Sequence, residues 1–393
     1  MDSKTRAGCT RRDFVAASTA GLLLGAVSSN GLALTEPFNH QNSRQTSVAP
    51  ARVIIDTDPG VDDAFALLLA MRSPELKIEA ITAVAGNVPL SFTLPNALRM
   101  VEIAGKTDIP VASGASAPLI RRLVTATYAH GENGLGGVVF PEPKLSAVPE
   151  PASELIRGII RKYPHEVTLI TLGPLTNVAT ALKIDPELAP LIRGIVMMAG
   201  SLSGGNITPA AEFNVYVDPE AARIVFQSGI PLTMIGLDVT RHTALTDEHV
   251  RVLQSGNNPV SDAAAKIARR AVDNNREHGY LIGPNMHDSL AVTAFLDPSI
   301  LRWKEYYVDI ETTGELTAGE TLGYSPTAGD LRRRPDAEEQ PLNIPIRGSA
   351  PTLASTRTSP VLREKFEPNT NVAVEADSAR FFDLLIGRLA GKQ

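Results

Sequence analysis

The chain has 393 residues, 43% of them hydrophobic and 20% charged, with a formal net charge of -6, which is enough apolar mass for one large core or two smaller ones. This mildly acidic balance has no basic stripe of the kind nucleic-acid binding needs, and no apolar run after residue 40 is long enough to span a membrane. The sole cysteine, Cys9, lies near the N-terminus, so disulfides and thiol catalysis are excluded from the rest of the chain.

The segment Thr10-Arg11-Arg12-Asp13-Phe14-Val15, with the small apolar run after it, resembles a twin-arginine export signal. The expectation is a signal peptide over 1–33, with Gly31 and Ala33 as small residues for cleavage and Ala49 as a later option, then a disordered tether over 34–50. Such a chain engages the twin-arginine export machinery and works in the periplasm or outside the cell. Cys9 precedes the apolar run, so it is no lipoprotein anchor, and no stable membrane anchor is expected. A disordered cytosolic tail is the competing reading.

The stretch VIIDTDPGVDDAFALLLA over 53–70 carries four aspartates within eight residues. Val53, Ile54 and Ile55 read as a buried strand, Pro59 and Gly60 as a turn, and Asp62 and Asp63 as the first turn of a helix. Asp56 and Asp58, two apart, point to one side, while Asp62 and Asp63 sit where a helix dipole favours negative charge. That dipole offsets only part of the repulsion among four carboxylates. A bound cation neutralises such a cluster better, and all-oxygen ligands suit calcium or magnesium rather than zinc. The alternative is that Asp62 caps the helix and the others are solvated turn residues.

Further along, the β-rich runs VIID, IEAITAVAG, VTLITLG, GIVMMAG and PLTMIGLD alternate with helical patterns over 62–71, 93–104, 152–162, 175–182, 219–227, 262–277 and 288–295. This is the pattern of an α/β fold, an open and mainly parallel sheet flanked by helices. Ligands of such sheets bind beyond the carboxyl ends of the strands. Asp56 and Asp58 fall there, as do Asn87, Leu172, and Ala199-Gly200 just before Asn206. The run LRWKEYYVDI reads as a further strand, with Trp303 serving packing, and NVAVEADSARFFDLLIGRL as a strand and closing helix.

DTDPGVDDA after an apolar strand resembles the opening signature of the inosine-uridine-preferring nucleoside hydrolase family. Asn87 in AVAGNV, His130 in AHGENGLGG, LGPLTN from Leu172 to Asn177, NITPAAEFN from Asn206 to Asn214, and His287-Asp288 in NMHDSLAV match that family in its order. The resemblance spans about 52–297 and resumes at 367–389. It implies a nucleoside-hydrolase-like α/β domain over 51–393 and hydrolysis of the N-glycosidic bond of ribonucleosides to ribose and free base. It also implies a Ca²⁺ cofactor and a homodimer or homotetramer.

By the same resemblance Asp58, Asp63, Asp288 and the carbonyl of Leu172 hold Ca²⁺ with Asp62 close by, and Asp58 is the general base toward water. Asp56 supports the loop. Asn206 and Glu212 serve the 5′-hydroxyl, Asn214 and Asp62 the 2′-hydroxyl, and Asp288 the 3′ side, so deoxyribose should be a poorer sugar. Phe213 lies against the sugar, and Asn87 joins the substrate-binding set. His130 and His287 are candidates to protonate or hydrogen-bond the leaving base, though His287 can instead simply orient Asp288. His278 and Tyr280 are further candidates for base contact, on a stretch that departs from the family's tyrosine-bearing helix.

A second departure is the polar segment over 324–366, read as an insertion that is mostly solvated loop, with a lid or partner-binding role as the lesser reading. Two other function classes compete with the hydrolase. One is a metal-dependent phosphatase, in which DTDPGV supplies Asp56 as nucleophile. The other is a non-catalytic periplasmic nucleoside-binding protein.

Overall fold

A computed structural model describes residues 49–279, 283–325 and 367–391. Its centre is a nine-stranded sheet built from β1 (Ala51–Thr57), β2 (Leu76–Ala83), β3 (Val111–Ser113), β4 (Thr168–Thr171), β5 (Gly194–Met198), β6 (Leu232–Ile235), β7 (Leu301–Ile310), β8 (Thr321–Tyr324) and β9 (Thr370–Ala376). The spatial order is β3-β2-β1-β4-β5-β6-β9-β7-β8. From β3 to β9 every neighbouring pair is parallel, whereas β7 runs antiparallel to both β9 and β8. The expected mainly parallel sheet is thus observed, with an antiparallel edge.

The two faces of the sheet belong to different helices, as a sheet buried on both sides requires. Val53 and Ile55 of β1 pack on one face with α1 (Val61–Met71), α2 (Leu90–Ile103), α10 (Pro259–Glu277), α11 (His287–Leu296) and α12 (Ser378–Ala390). Ile54, between them, faces the other way, into a second apolar cluster with α4 (Ala152–Lys162), α5 (Thr176–Ile184) and α7 (Pro219–Phe226). Every residue of α1 is buried. A helix apolar on all sides is stable only as a central element, and this one leads directly out of the aspartate turn.

Shorter helices fill the connections: α3 (Thr127–His130), α6 (Phe213–Val217), α8 (Leu237–Thr240) and α9 (Asp247–Gln254). These four, the three-residue β3 and the four-residue β8 are not among the elements expected from the sequence. The expected helices occur with shifted ends. Helix α2 starts at Leu90 and carries Pro95 inside its first turns. Helix α10 starts at Pro259, because the Asn258 side chain caps it by accepting from the Ser261 amide. Tyr324 closes β8, so the insertion expected over 324–366 begins after it, and 326–366 lies outside the described residues, as do the signal and nearly all of the tether over 1–48. Among the described residues no helix is long and apolar enough to cross a membrane.

Candidate active site

Strands β1, β2, β4 and β5 end on one rim, and the chain turns there into α1, into the Asn87 segment, into Leu172 and into the loop that precedes Asn206. Asp63, in the first turn of α1, organises this rim. Its Oδ1 accepts from the Thr57 hydroxyl at 2.5 Å and the Asp58 amide at 3.2 Å, while Oδ2 accepts from the Gly60 amide and from Asn87 Nδ2, both at 2.9 Å. One carboxylate therefore closes the turn that carries Asp58 and Asp62, and it satisfies a free helix-start amide as it does so.

Asp58 lies beyond the end of β1 with no solvent exposure. The Asn87 amide donates to its Oδ2 at 2.6 Å, and its Oδ1 is a buried oxygen with no hydrogen-bond partner. The backbones of Gly86 and Gly173 close in on this carboxylate; a Cβ on Gly173 would stand 2.4 Å from Oδ1 and one on Gly86 2.1 Å from Oδ2. Burial, reinforced by the charge of Asp63, pushes Asp58 well above the usual carboxylate range.

Asp62, Asp63 and Asp288 offer carboxylate oxygens that all lie within 4.8 Å of one another, every one of the three residues buried. Burial and then Asp63 raise Asp62 to about 6, and burial with the charges of Asp62, Asp63 and Asp58 pushes Asp288 well above the usual carboxylate range. Four buried acids this close cannot all ionise without a counter-charge, and among the described residues no Lys or Arg is paired with any of them. An oxygen-only donor set with a spare buried oxygen on Asp58 suits a hard divalent cation. Asp62 thus belongs to the cluster itself, and Asp58 stands beside it, holding the oxygen left unpartnered. The Leu172 carbonyl accepts from Asn214 Nδ2 at 2.8 Å.

Asp56 has its Oδ1 held by the Thr82 hydroxyl and by Asn177 Nδ2, leaves its Oδ2 without a hydrogen-bond partner, and is as fully buried as Asp58. Burial raises it to about 7 against those two bonds. This placement suits support of the loop.

The loop over 201–211 and α6 supply the second wall. Asn206 Oδ1 accepts from the Phe213 amide at 2.9 Å. Glu212 caps α6, Oε1 accepting from the Asn214 amide and Oε2 from the Gly200 and Val215 amides. Burial lifts Glu212 to about 7, opposed by these three amides. Asn214 Nδ2 donates to the carbonyls of Leu172 and Met198, which fixes the amide between β4 and β5. Phe213 is buried, packed with Ala126, Val217, Leu123 and Ile207 while also lining the cavity.

The histidines flank the acids. His130 ends α3, and its Nδ1 accepts the Val61 amide at 3.1 Å, 3.8 Å from Asp62 Oδ1. Gly60 permits this approach, since a Cβ there would lie 2.4 Å from Nδ1. With Nδ1 used as an acceptor, the neutral ring carries its proton on Nε2; burial lowers the group to about 4. His287 Nδ1 lies 2.7 Å from Thr240 Oγ1, and burial lowers its pKa against the opposing charge of Asp62. His278 is exposed at the end of α10, and Tyr280 lies outside the described residues. Trp303 is half-buried on β7, donating to the Pro298 carbonyl, as a packing residue should.

Asp62, Asn87, His130, Leu172, Asn206, Glu212, Phe213, Asn214, His287 and Asp288 line one cavity of about 500 Å³ including its mouth, with Asp58 and Asp63 behind its wall. Tyr128, Ala126 and Met198 also line it and were missed by the sequence reading, as was Thr240; none of these carries a distinctive motif. Asn177 stood in the LGPLTN run, but only the fold reveals its bond to Asp56. A larger groove, of about 1990 Å³ including its mouth, lies at the opposite ends of the strands, between the last turns of α1, α2 and α12. It brings together no comparable set of acids, so the chemistry belongs at the rim.

The family model described as inosine-uridine preferring nucleoside hydrolase matches residues 53–383. A pyrimidine-specific ribonucleoside hydrolase, RihA, of Photobacterium profundum is 47% identical over 271 residues, 69% of this chain and 87% of that protein. The protein of the same name from Salmonella gallinarum is 39% identical over 339 residues, 86% of this chain and 97% of its own. Among solved structures, a purine-preferring ribonucleoside hydrolase from Gardnerella vaginalis superposes with a TM-score of 0.73 at 30% identity, covering 87% of this chain and 98% of that one. A plant nucleoside hydrolase gives 0.72, also at 30% identity, with 87% and 99% covered.

Proposed function

Because the chain belongs to the inosine-uridine preferring nucleoside hydrolase family and is a nucleosidase, we propose that its substrates are pyrimidine ribonucleosides, cleaved to ribose and free base with Ca²⁺ as cofactor. The observation that carries this reading is the joining, at one cavity, of the buried Asp62, Asp63 and Asp288 cluster with the sugar-sized donor and acceptor set of Asn206, Glu212 and Asn214. The names of relatives at 39–47% identity support the pyrimidine preference over the purine one named for a structure at 30%.

Breaking an N-glycosidic bond needs a nucleophilic water, stabilisation of a ribosyl group with oxocarbenium character, and a hydrogen bond to the departing base. Asp58 is the general base, its unpartnered Oδ1 taking a proton from water as oxygen closes on the anomeric carbon. Asp62, Asp63 and Asp288 would hold Ca²⁺, with Asp58 and the Leu172 carbonyl beside them; when bound, the ion makes water more acidic and offers sites for sugar hydroxyls. Asn214 is immobilised by two carbonyls, so its remaining oxygen meets a hydroxyl with little entropy left to lose. The bonding electrons leave with the base, and the Nε2–H of His130, whose Nδ1 is committed to Val61, donates to the charge growing there. His287 stands across the cavity as the second donor.

Hydrolysis outside the cytoplasm, after twin-arginine export, is supported by Arg11-Arg12 and the apolar run that follows, and homo-oligomerisation by the family resemblance alone. The test is release of reducing sugar by the mature chain from uridine, cytidine, inosine and adenosine, with and without a calcium chelator, and with Asp58→Ala as control. Calcium-dependent release fastest from uridine and cytidine, lost in Asp58→Ala, sustains the reading. Faster release from inosine would transfer the preference to purines, and binding without release would leave a nucleoside-binding protein.

A further inference from the structure

Helix α8 and the turn after it touch both halves of the site. On the sugar side, Asp238 Oδ2 accepts the Leu202 amide at 2.9 Å, and Arg241 Nη2 donates to two successive carbonyls, Gly204 at 2.9 Å and Gly205 at 2.7 Å. On the leaving-group side, Thr240 Oγ1 meets His287 Nδ1, and both the carbonyl and the hydroxyl of Thr243 accept the Met286 amide. Residues 238–243 thus hold, within six positions, the approach to Asn206 and the approach to Asp288.

The sugar loop needs an external hold. It contains two adjacent glycines, and Gly204 adopts φ +96°, a region that costs glycine little but leaves the unfolded loop many alternatives. Its internal bonds lie mostly after the glycine pair: the Gly205 amide donates to the Pro209 carbonyl, the Asn206 and Ile207 amides to the Ala211 carbonyl, the Ala210 and Ala211 amides to the Thr208 hydroxyl and the Phe213 amide to Asn206 Oδ1, while before the pair the Ser203 amide donates to the Ser201 hydroxyl. A guanidinium bridging the carbonyls of Gly204 and Gly205 fixes two successive peptide planes immediately before Asn206, and charge-assisted bonds are the stronger kind. We propose that Arg241 is a positioning residue, clamping the glycine pair so that Asn206 stays presented to the cavity, and that α8 ties this loop to His287 through the adjacent Thr240. The inference rests on the sugar-binding reading of Asn206.

The test compares Arg241→Met, which keeps the aliphatic stem, and Arg241→Lys, which keeps charge but not the fork, with Arg251→Met on α9 as control, using hydrogen exchange and kinetics on the calcium-loaded mature chain. In Arg241→Met the Gly205 and Asn206 amides should exchange about tenfold faster while β5 is unchanged. KM for uridine should rise about tenfold with kcat within threefold, and KM for 5′-deoxyuridine, which lacks the hydroxyl assigned to Asn206, within twofold. Arg241→Lys should fall between. Unchanged exchange and unchanged KM would overturn the clamp, as would acceleration spread equally over β5. Loop-confined acceleration with no hydrolysis by any of the proteins would sustain the clamp and remove the substrate reading instead.

Discussion

Gly173→Ala is the most discriminating single change at the rim. A Cβ built there stands 2.4 Å from Asp58 Oδ1, 2.8 Å from its Cγ and 3.1 Å from Val84 Cγ1, whereas ordinary contact begins near 3.4 Å. The carboxylate must therefore retreat by about 1 Å, and it has little room, because its other oxygen is held at 2.6 Å by the Asn87 amide and Gly86 closes the opposite side. A displacement of about 1 Å in a positioned catalytic group costs on the order of 10²-fold in rate. Overpacking of a buried site costs about 1–3 kcal/mol of stability, partly offset by about 0.4–1 kcal/mol from the less flexible unfolded chain. The variant should thus fold, with a modest loss in Tm, and show kcat on uridine reduced about a hundredfold at saturating calcium. Steady-state kinetics with parallel calorimetry decide the matter. A folded Gly173→Ala protein with kcat within threefold of the parent would refute the assignment of Asp58 Oδ1 as the base.

Asn177→Ala removes two donors and an acceptor that join Asp56, the Ala83 carbonyl and the Ala115 amide, leaving a buried carboxylate short of a partner; urea denaturation should show a loss of about 2–4 kcal/mol. Asp56 and Glu212 both hold protons up to about 7 in the folded protein, well above their ordinary carboxylate values. The native state therefore binds more protons than the unfolded chain across that window, and the stability of chelated protein should fall as pH rises from about 4 to beyond 7. A calorimetric Tm higher at pH 8 than at pH 5 without metal would contradict this. Calcium should reverse the trend, since protons compete with the cation for the same carboxylates, so the calcium-induced rise in Tm should be larger at pH 8 than at pH 5. Deoxyuridine should be hydrolysed at least tenfold less efficiently than uridine, because Asn214 and Asp62 would lose the 2′-hydroxyl they face; equal kcat/KM would remove that role.

Much of this arrangement was legible without coordinates, for physical reasons that operate locally. The alternation of short β-rich runs with helical periods identified a mainly parallel sheet, and such a sheet puts its ligands at the carboxyl ends of its strands. The excess of negative charge in DTDPGVDD pointed to a cation because no local interaction neutralises four carboxylates. Val250 and Leu253, with Thr246 as cap and two acids in the first turn, also marked α9 in advance, and that signal went unread. Helices of four or five residues such as α6 and α8 leave no period to read, and β3 is shorter still.

What tertiary structure alone decided is how chemically identical residues divide their work. Asp56 and Asp58 are the same side chain two positions apart, and each keeps one buried oxygen without a partner, yet Asp56 is tied inside the sheet by Thr82 and Asn177 while Asp58 is held at the rim by the Asn87 amide. That difference comes from strands and helices up to 121 residues distant. The roles of Thr240 and Arg241 likewise exist only because β6 lies beside β5 and delivers α8 between the sugar loop and His287. Composition and periodicity determine which groups are available and at which rim they gather; the long-range packing of the sheet determines which oxygen is left free to act.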